Sequence, residues 1–133
     1  MTVIAAPYQA VTGYIFMRGE RAVVTWPAVI SISGDAELIY VADQHDWEDA
    51  AELHLLAYDE ADYLLDACGS AYRLTTKADN RVMPEPTGET RTLTEVLGLV
   101  KAHAAQSGSC CVSKLYAPTI QAAIEMVWSL DPH

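Results

Sequence analysis

Twice along this 133-residue chain, two runs of β-type residues flank a turn that contains glycine, and a stretch with helical apolar spacing follows. The first pair is Val29-Ile-Ser-Ile-Ser33 and Glu37-Leu-Ile-Tyr-Val41 around Gly34-Asp35. The second is Tyr63-Leu-Leu-Asp66 and Ala71-Tyr-Arg-Leu-Thr75 around Cys68-Gly69-Ser70. Strands joined by tight turns pair antiparallel, and helices with one apolar stripe must bury it on a sheet. The pattern therefore predicts an α+β fold. A largely antiparallel sheet, built from two hairpins plus one further strand, is covered by about three helices in the order ββ-α-ββ-α-β-α.

The helices and the last strand are read as follows. Asp43 or Asp46 caps a helix running to about Ala57, with Trp47, Ala50, Ala51, His54 and Leu55 at spacings of three and four. Thr92 and Glu95 form a capping box, each side chain accepting from the other residue's backbone amide. Leu93, Val96, Leu97, Val100 and Ala104 share one face of that helix, and Gly108 stops it. Cys110 to Tyr116 reads as the further strand. Pro118 takes a first helical position, and Ile120, Ala123, Ile124, Val127 and Trp128 line the buried side of a last helix. Residues 76–91, with Pro84, Pro86 and Gly88, read as a long polar loop. One domain spans 26–130, and residues 1–25 form an extension or an extra hairpin, with Met17 as an alternative start.

Charge is distributed unevenly. The formal net charge is -10, yet eleven carboxylates and no Lys or Arg lie between Asp35 and Asp66, while the remainder is nearly neutral. Such a field repels nucleic acid and anionic membrane and attracts basic partners or divalent cations. The N-terminus lacks the basic start of a secretory signal, and no apolar run reaches the ~18 residues of a membrane span. Cys68, Cys110 and Cys111 are an odd set without CxxC spacing, which fits reduced thiols in a cytoplasmic protein.

The runs Trp26-Pro-Ala-Val-Ile, Glu37-Leu-Ile-Tyr40 and Asp66-x-x-Gly69-x-x-Tyr72-x-Leu74 resemble a family of small acidic bacterial proteins of unknown function. The resemblance covers about residues 26–130. It implies a bacterial cytosolic protein and brings no catalytic residue with it.

Few constellations here carry chemistry. His45, Glu48 or Asp49, and Glu52 project from one side of the acidic helix and are the candidate ligands for a divalent metal. HExxH and EF-hand spacings are lacking, however. Cys68 or Cys110 would need a spatially adjacent His to act as a nucleophile. Glycine-rich phosphate loops are missing, and the basic residues are scattered, with only Lys77, Arg81 and Arg91 sharing a segment. The leading expectation is a non-enzymatic interaction module without cofactor. In it Asp46, Trp47, Glu48, Asp49 and Glu52 form an exposed surface for a basic protein, with Trp47 and Tyr58 as aromatic anchors. A small metal-dependent or cysteine-based enzyme is one alternative. A homodimer or other homo-oligomeric subunit is another.

Overall fold

The computed structural model describes residues 23–109 and 111–130. The extra hairpin considered for residues 1–25 lies almost wholly outside them. Five strands form one antiparallel sheet: β1 (Ala28–Ser31), β2 (Leu38–Val41), β3 (Tyr63–Asp66), β4 (Ser70–Thr76) and β5 (Val82–Thr90). Their spatial order is β2-β1-β3-β4-β5. The helices are α1 (Gln44–Asp49), α2 (Ala51–His54), α3 (Leu93–Gln106) and α4 (Ile120–Leu130). The α+β class and both hairpins are thus as expected. In the first hairpin Ser31 pairs with Leu38, and in the second Tyr63 pairs with Arg73.

Strand alternation sorts the core into two layers. Ala28, Ile30, Leu64, Tyr72, Leu74 and Val82 pack with Trp47 and Leu53 on the face that α1 and α2 cover. Val29, Leu38 and Leu65 face the other way, against Val96 and Val100 of α3 and Ala123, Ile124 and Val127 of α4. The α3 capping box is present, with Thr92 N–H donating to Glu95 Oε1 at 2.8 Å and Glu95 N–H to Thr92 Oγ1 at 3.2 Å.

The structure corrects four expectations. Residues 76–91 are not a loop, because Val82–Thr90 forms β5. Two prolines suit this strand because it is the sheet edge. Val82 sends its N–H away from β4, to His54 Nδ1 at 3.0 Å, and Pro84 and Pro86 share its parity. Their missing amides therefore fall on the open side, where no ladder bond is lost. Second, the strand expected from Cys110 to Tyr116 is absent from the described residues 111–116. Cys111 sits at φ 58° and opens a single 3-10 turn, Val112–Lys114. Third, the acidic helix is broken. Asp43 caps α1 by accepting from Asp46 N–H at 2.7 Å, but Ala50 at φ -84°, ψ 75° leaves the helical region and divides α1 from α2. Fourth, Pro118 precedes α4 without entering it, and Thr119 Oγ1 accepts from Ala122 N–H at 3.1 Å.

Histidines close outward-facing amides at both edges of the sheet. His54 donates from Nε2 to Trp47 O and accepts Val82 N–H at Nδ1, which fixes one neutral tautomer. His103, fully buried on α3, accepts Leu38 N–H at 2.9 Å on Nδ1. An edge amide left open invites pairing with a foreign strand, so each contact closes one pairing site at its edge. Replacing His103 with Phe keeps the shape but leaves Leu38 N–H buried without that acceptor. Urea unfolding should register a loss of about 1–3 kcal/mol. A loss below about 0.5 kcal/mol would show that the edge amide does not depend on the ring.

Candidate functional site

Most aspartates of the acidic segment have local structural work. Asp35, Asp43, Asp46, Asp59, Asp62 and Asp66 each accept a backbone N–H. Short carboxylates satisfy turn amides well, so part of the acidity is turn and cap chemistry. Asp62 is buried and accepts Ser33 N–H at 2.7 Å and Asp59 N–H at 2.8 Å. Asp66, also buried, accepts from Thr25, Cys68 and Ser70 amides, each at 3.0 Å.

The five residues expected to form one surface separate. Trp47 is a core residue, 2% exposed, its ring 4.6 Å from that of His54. It cannot anchor a partner. Tyr58, the other expected anchor, is half-buried and donates its hydroxyl to Leu53 O at 2.8 Å. Glu48 accepts from Gln44 Nε2, and its carbonyl receives Arg81 Nη2 at 3.3 Å. Glu52 is exposed on α2, beyond the break at Ala50. Asp46 and Asp49 do come together, on the side of α1 that faces the β2 edge.

There they line a cavity of about 480 Å³ with Tyr40, Ala42, Asp43, His45 and Trp128. Asp46 Oδ2 accepts Ala42 N–H at 3.1 Å, which ties α1 to the end of β2. Asp49 Oδ2 lies 2.9 Å from His45 Nε2, one turn apart on α1, with both side chains largely in water. Tyr40 and Trp128 meet with ring centroids 5.7 Å apart and planes tilted by 36°. Trp128 was expected on the buried side of α4 and is instead 53% exposed. Burial, then the charges of Glu125, Asp46 and Asp43, push the Tyr40 phenol above its ordinary value. The cavity therefore sits in a negative field, and no Lys or Arg among the described residues lines it.

A second depression, about 520 Å³, lies over β3, β4 and β5. Its charges neutralise one another: Arg73 with Glu60 at 3.3 Å, Lys77 with Glu85, Arg91 with Glu89 at 3.4 Å. The bond from Lys77 holds the Glu85 carboxyl below the usual range. Arg91 also stacks 4.9 Å over the Tyr63 ring.

Among the described residues, chemistry by metal or thiol gains no geometric support; Cys110, one of the two candidate nucleophiles, lies outside them. Among the described residues no group of three or more His, Cys, Asp or Glu gathers as a metal site would require. Cys68 and Cys111 are free and exposed, whereas the Nδ1 atoms of His54 and His103 are occupied by backbone amides. Among the described residues no helix is long and apolar enough to cross a membrane.

The fold and its cavity define a small α+β protein in which one five-stranded antiparallel sheet is covered on both faces. Residues 26–127 match the DUF4144 family, described as a protein structure with unknown function. The chain belongs to that family, in agreement with the resemblance carried by the Trp26, Glu37 and Asp66 runs. It is also similar to a protein from Shewanella amazonensis solved by NMR. The TM-score is 0.59 at 23% identity, covering 82% of this chain and 91% of the other. That likeness shows a shared fold. No curated protein matches the sequence.

Proposed function

We propose that this chain is a non-enzymatic interaction module whose cavity beside β2 meets a basic protein surface. The observation that carries the reading is that Asp43, Asp46 and Asp49 line one cavity with a half-exposed Trp128, and that no Lys or Arg among the described residues lines it. Carboxylates of this kind raise association rate and select against acidic surfaces, while a central aromatic supplies affinity. The same field disfavours nucleic acid and anionic lipid as direct partners. The reading includes a bacterial cytoplasmic location, supported by the free thiols of Cys68 and Cys111.

Changing Asp43, Asp46 and Asp49 together to Asn tests it. Asn retains a side-chain oxygen for the Asp46 and Ala42 amides, so the fold should survive. Removing repulsion between near neighbours should even stabilise the free protein by a few tenths of a kcal/mol. Association with basic proteins, followed by surface plasmon resonance, should slow about tenfold or more at low salt. The difference should close as ionic strength rises to about 0.15 M, where the screening length is about 8 Å. Equal association rates for both forms at low salt would overturn the reading.

A further inference from the structure

We infer that the bare half of the sheet, over β4 and β5, is a contact face for a second copy of this chain. Glu60 of each copy sits in the other's depression. This face is separate from the cavity beside β2 and does not depend on the reading above. The layer that α3 and α4 bury takes its strand core from β1, β2 and β3. On the same side of β4 and β5 stand Arg73, Thr75, Met83, Glu85 and Thr87, each exposed or half-buried. Tyr63, Arg73 and Glu85 are successive cross-strand partners, and Arg91 lies over the Tyr63 ring.

Charge selects the occupant. A chain with a formal net charge of -10 repels its own copies wherever its carboxylates gather. Here they are matched, Arg73, Lys77 and Arg91 against Glu60, Glu85 and Glu89. Asp62, the remaining carboxylate of the depression, is buried and spends its two oxygens on the amides of Ser33 and Asp59. A strongly basic or strongly acidic partner gains no net attraction from such a face. A two-fold copy presents carboxylates to guanidiniums and guanidiniums to carboxylates at once. Shape agrees with this. The Glu60 side chain lines the depression yet is 90% exposed, so it projects from the rim. The depression, about 520 Å³, holds the guanidiniums of Arg73 and Arg91. Their own-chain contacts to Glu60 and Glu89, at 3.3 and 3.4 Å, are longer than charged hydrogen bonds prefer. Exposed pairs of this kind are weak, and a guanidinium is rich in donors. Each therefore keeps donors for a carboxylate of the second copy.

Sedimentation equilibrium of the full chain tests the face at about 0.15 M salt, where charges more than about 8 Å apart are largely screened. The average mass should rise from that of one chain toward that of two as concentration approaches about 1 mM, because small polar contacts bind weakly. Arg73→Glu and Glu60→Arg should each weaken self-association about tenfold or more, since like charges then face each other across the two-fold axis. An equimolar mixture of the two variants should recover it, because both contacts of a mixed pair join opposite charges. Circular dichroism should show both variants folded, as each alters an exposed side chain. Mixing cannot rescue a chain that has not folded. A wild-type chain that stays monomeric to about 1 mM overturns the inference. So does an association that both variants leave intact, or one that their mixture fails to restore.

Discussion

Replacing Asp66 with Ala should lower stability by roughly 3–5 kcal/mol, among the largest losses available from a single side chain here. Asp66 is 1% exposed at the end of β3, and its two oxygens hold four groups. Oδ1 accepts the amides of Cys68 and Ser70, which shapes the β3–β4 turn, and Oδ2 accepts the amide of Thr25, which draws in the irregular segment leading to β1. The Tyr72 hydroxyl lies 3.0 Å from Oδ2 and equally from Val23 O, so its single proton serves one of them at a time. Burial and the Asp66 charge raise the Tyr72 phenol far above its ordinary value, which keeps it a donor throughout the physiological range. Removing the carboxylate strands these donors together. Cys68 lies on the surface, but water does not reach the buried end of the network at Asp66 and Tyr72. For a domain of this size each kcal/mol moves the melting temperature by about 3–5 °C, so a fall of about 10–20 °C is expected by calorimetry. Asp66→Asn retains one acceptor oxygen and should lose less. Combined with Tyr72→Phe it should show coupling of about 0.5–3 kcal/mol in a double-mutant cycle. An Ala variant within about 1 kcal/mol of wild type would show that the network is dispensable.

That network explains what the Asp66-x-x-Gly69-x-x-Tyr72 run is for: it is a turn device that joins three segments of chain. Its residue types and spacing were visible in the sequence, as were both hairpins and the α3 capping box, because each is a short-range pattern with a local cause. Other features depended on tertiary position. Pro84 and Pro86 look like loop residues until the strand carrying them is known to be an edge with their nitrogens outward. Ala50 gives no local reason to leave the helix. Trp47 and Trp128 exchanged roles for a geometric reason. At about 100° per residue, Trp128 lies about 90° from the centre of the buried stripe of α4, so periodicity placed it at the margin. The acidic segment hid the buried Trp47 among carboxylates that were read as one surface. Of the five residues expected to make that surface, Asp46 and Asp49 reach the cavity, and a helical wheel of α4 offered the one local hint of Trp128.

Gly69→Ala should destabilise the protein by roughly 2–5 kcal/mol, well beyond the same change at Gly34. Both glycines have nearly equal left-handed backbones, at φ +86° and +84°, so the conformational cost of adding a Cβ is about 1–2 kcal/mol at each. What differs is the space. A Cβ on Gly34 would meet nothing within 4 Å, whereas on Gly69 it would lie 2.6 Å from Arg91 O and 2.9 Å from Ile120 Cδ1. The Ile120 methyl can rotate away, but Arg91 O is backbone. Gly69 O in turn accepts Arg91 N–H at 2.7 Å, so the turn is clasped to the chain that enters α3 and touches the first residue of α4. Relieving the contact must shift that clasp, an overpacking cost of about 1–3 kcal/mol on top of the backbone term. In urea both variants should keep the wild-type slope while their midpoints fall by different amounts. Equal losses at the two positions would mean that the clasp yields without cost and that only the sign of φ selects glycine at residue 69.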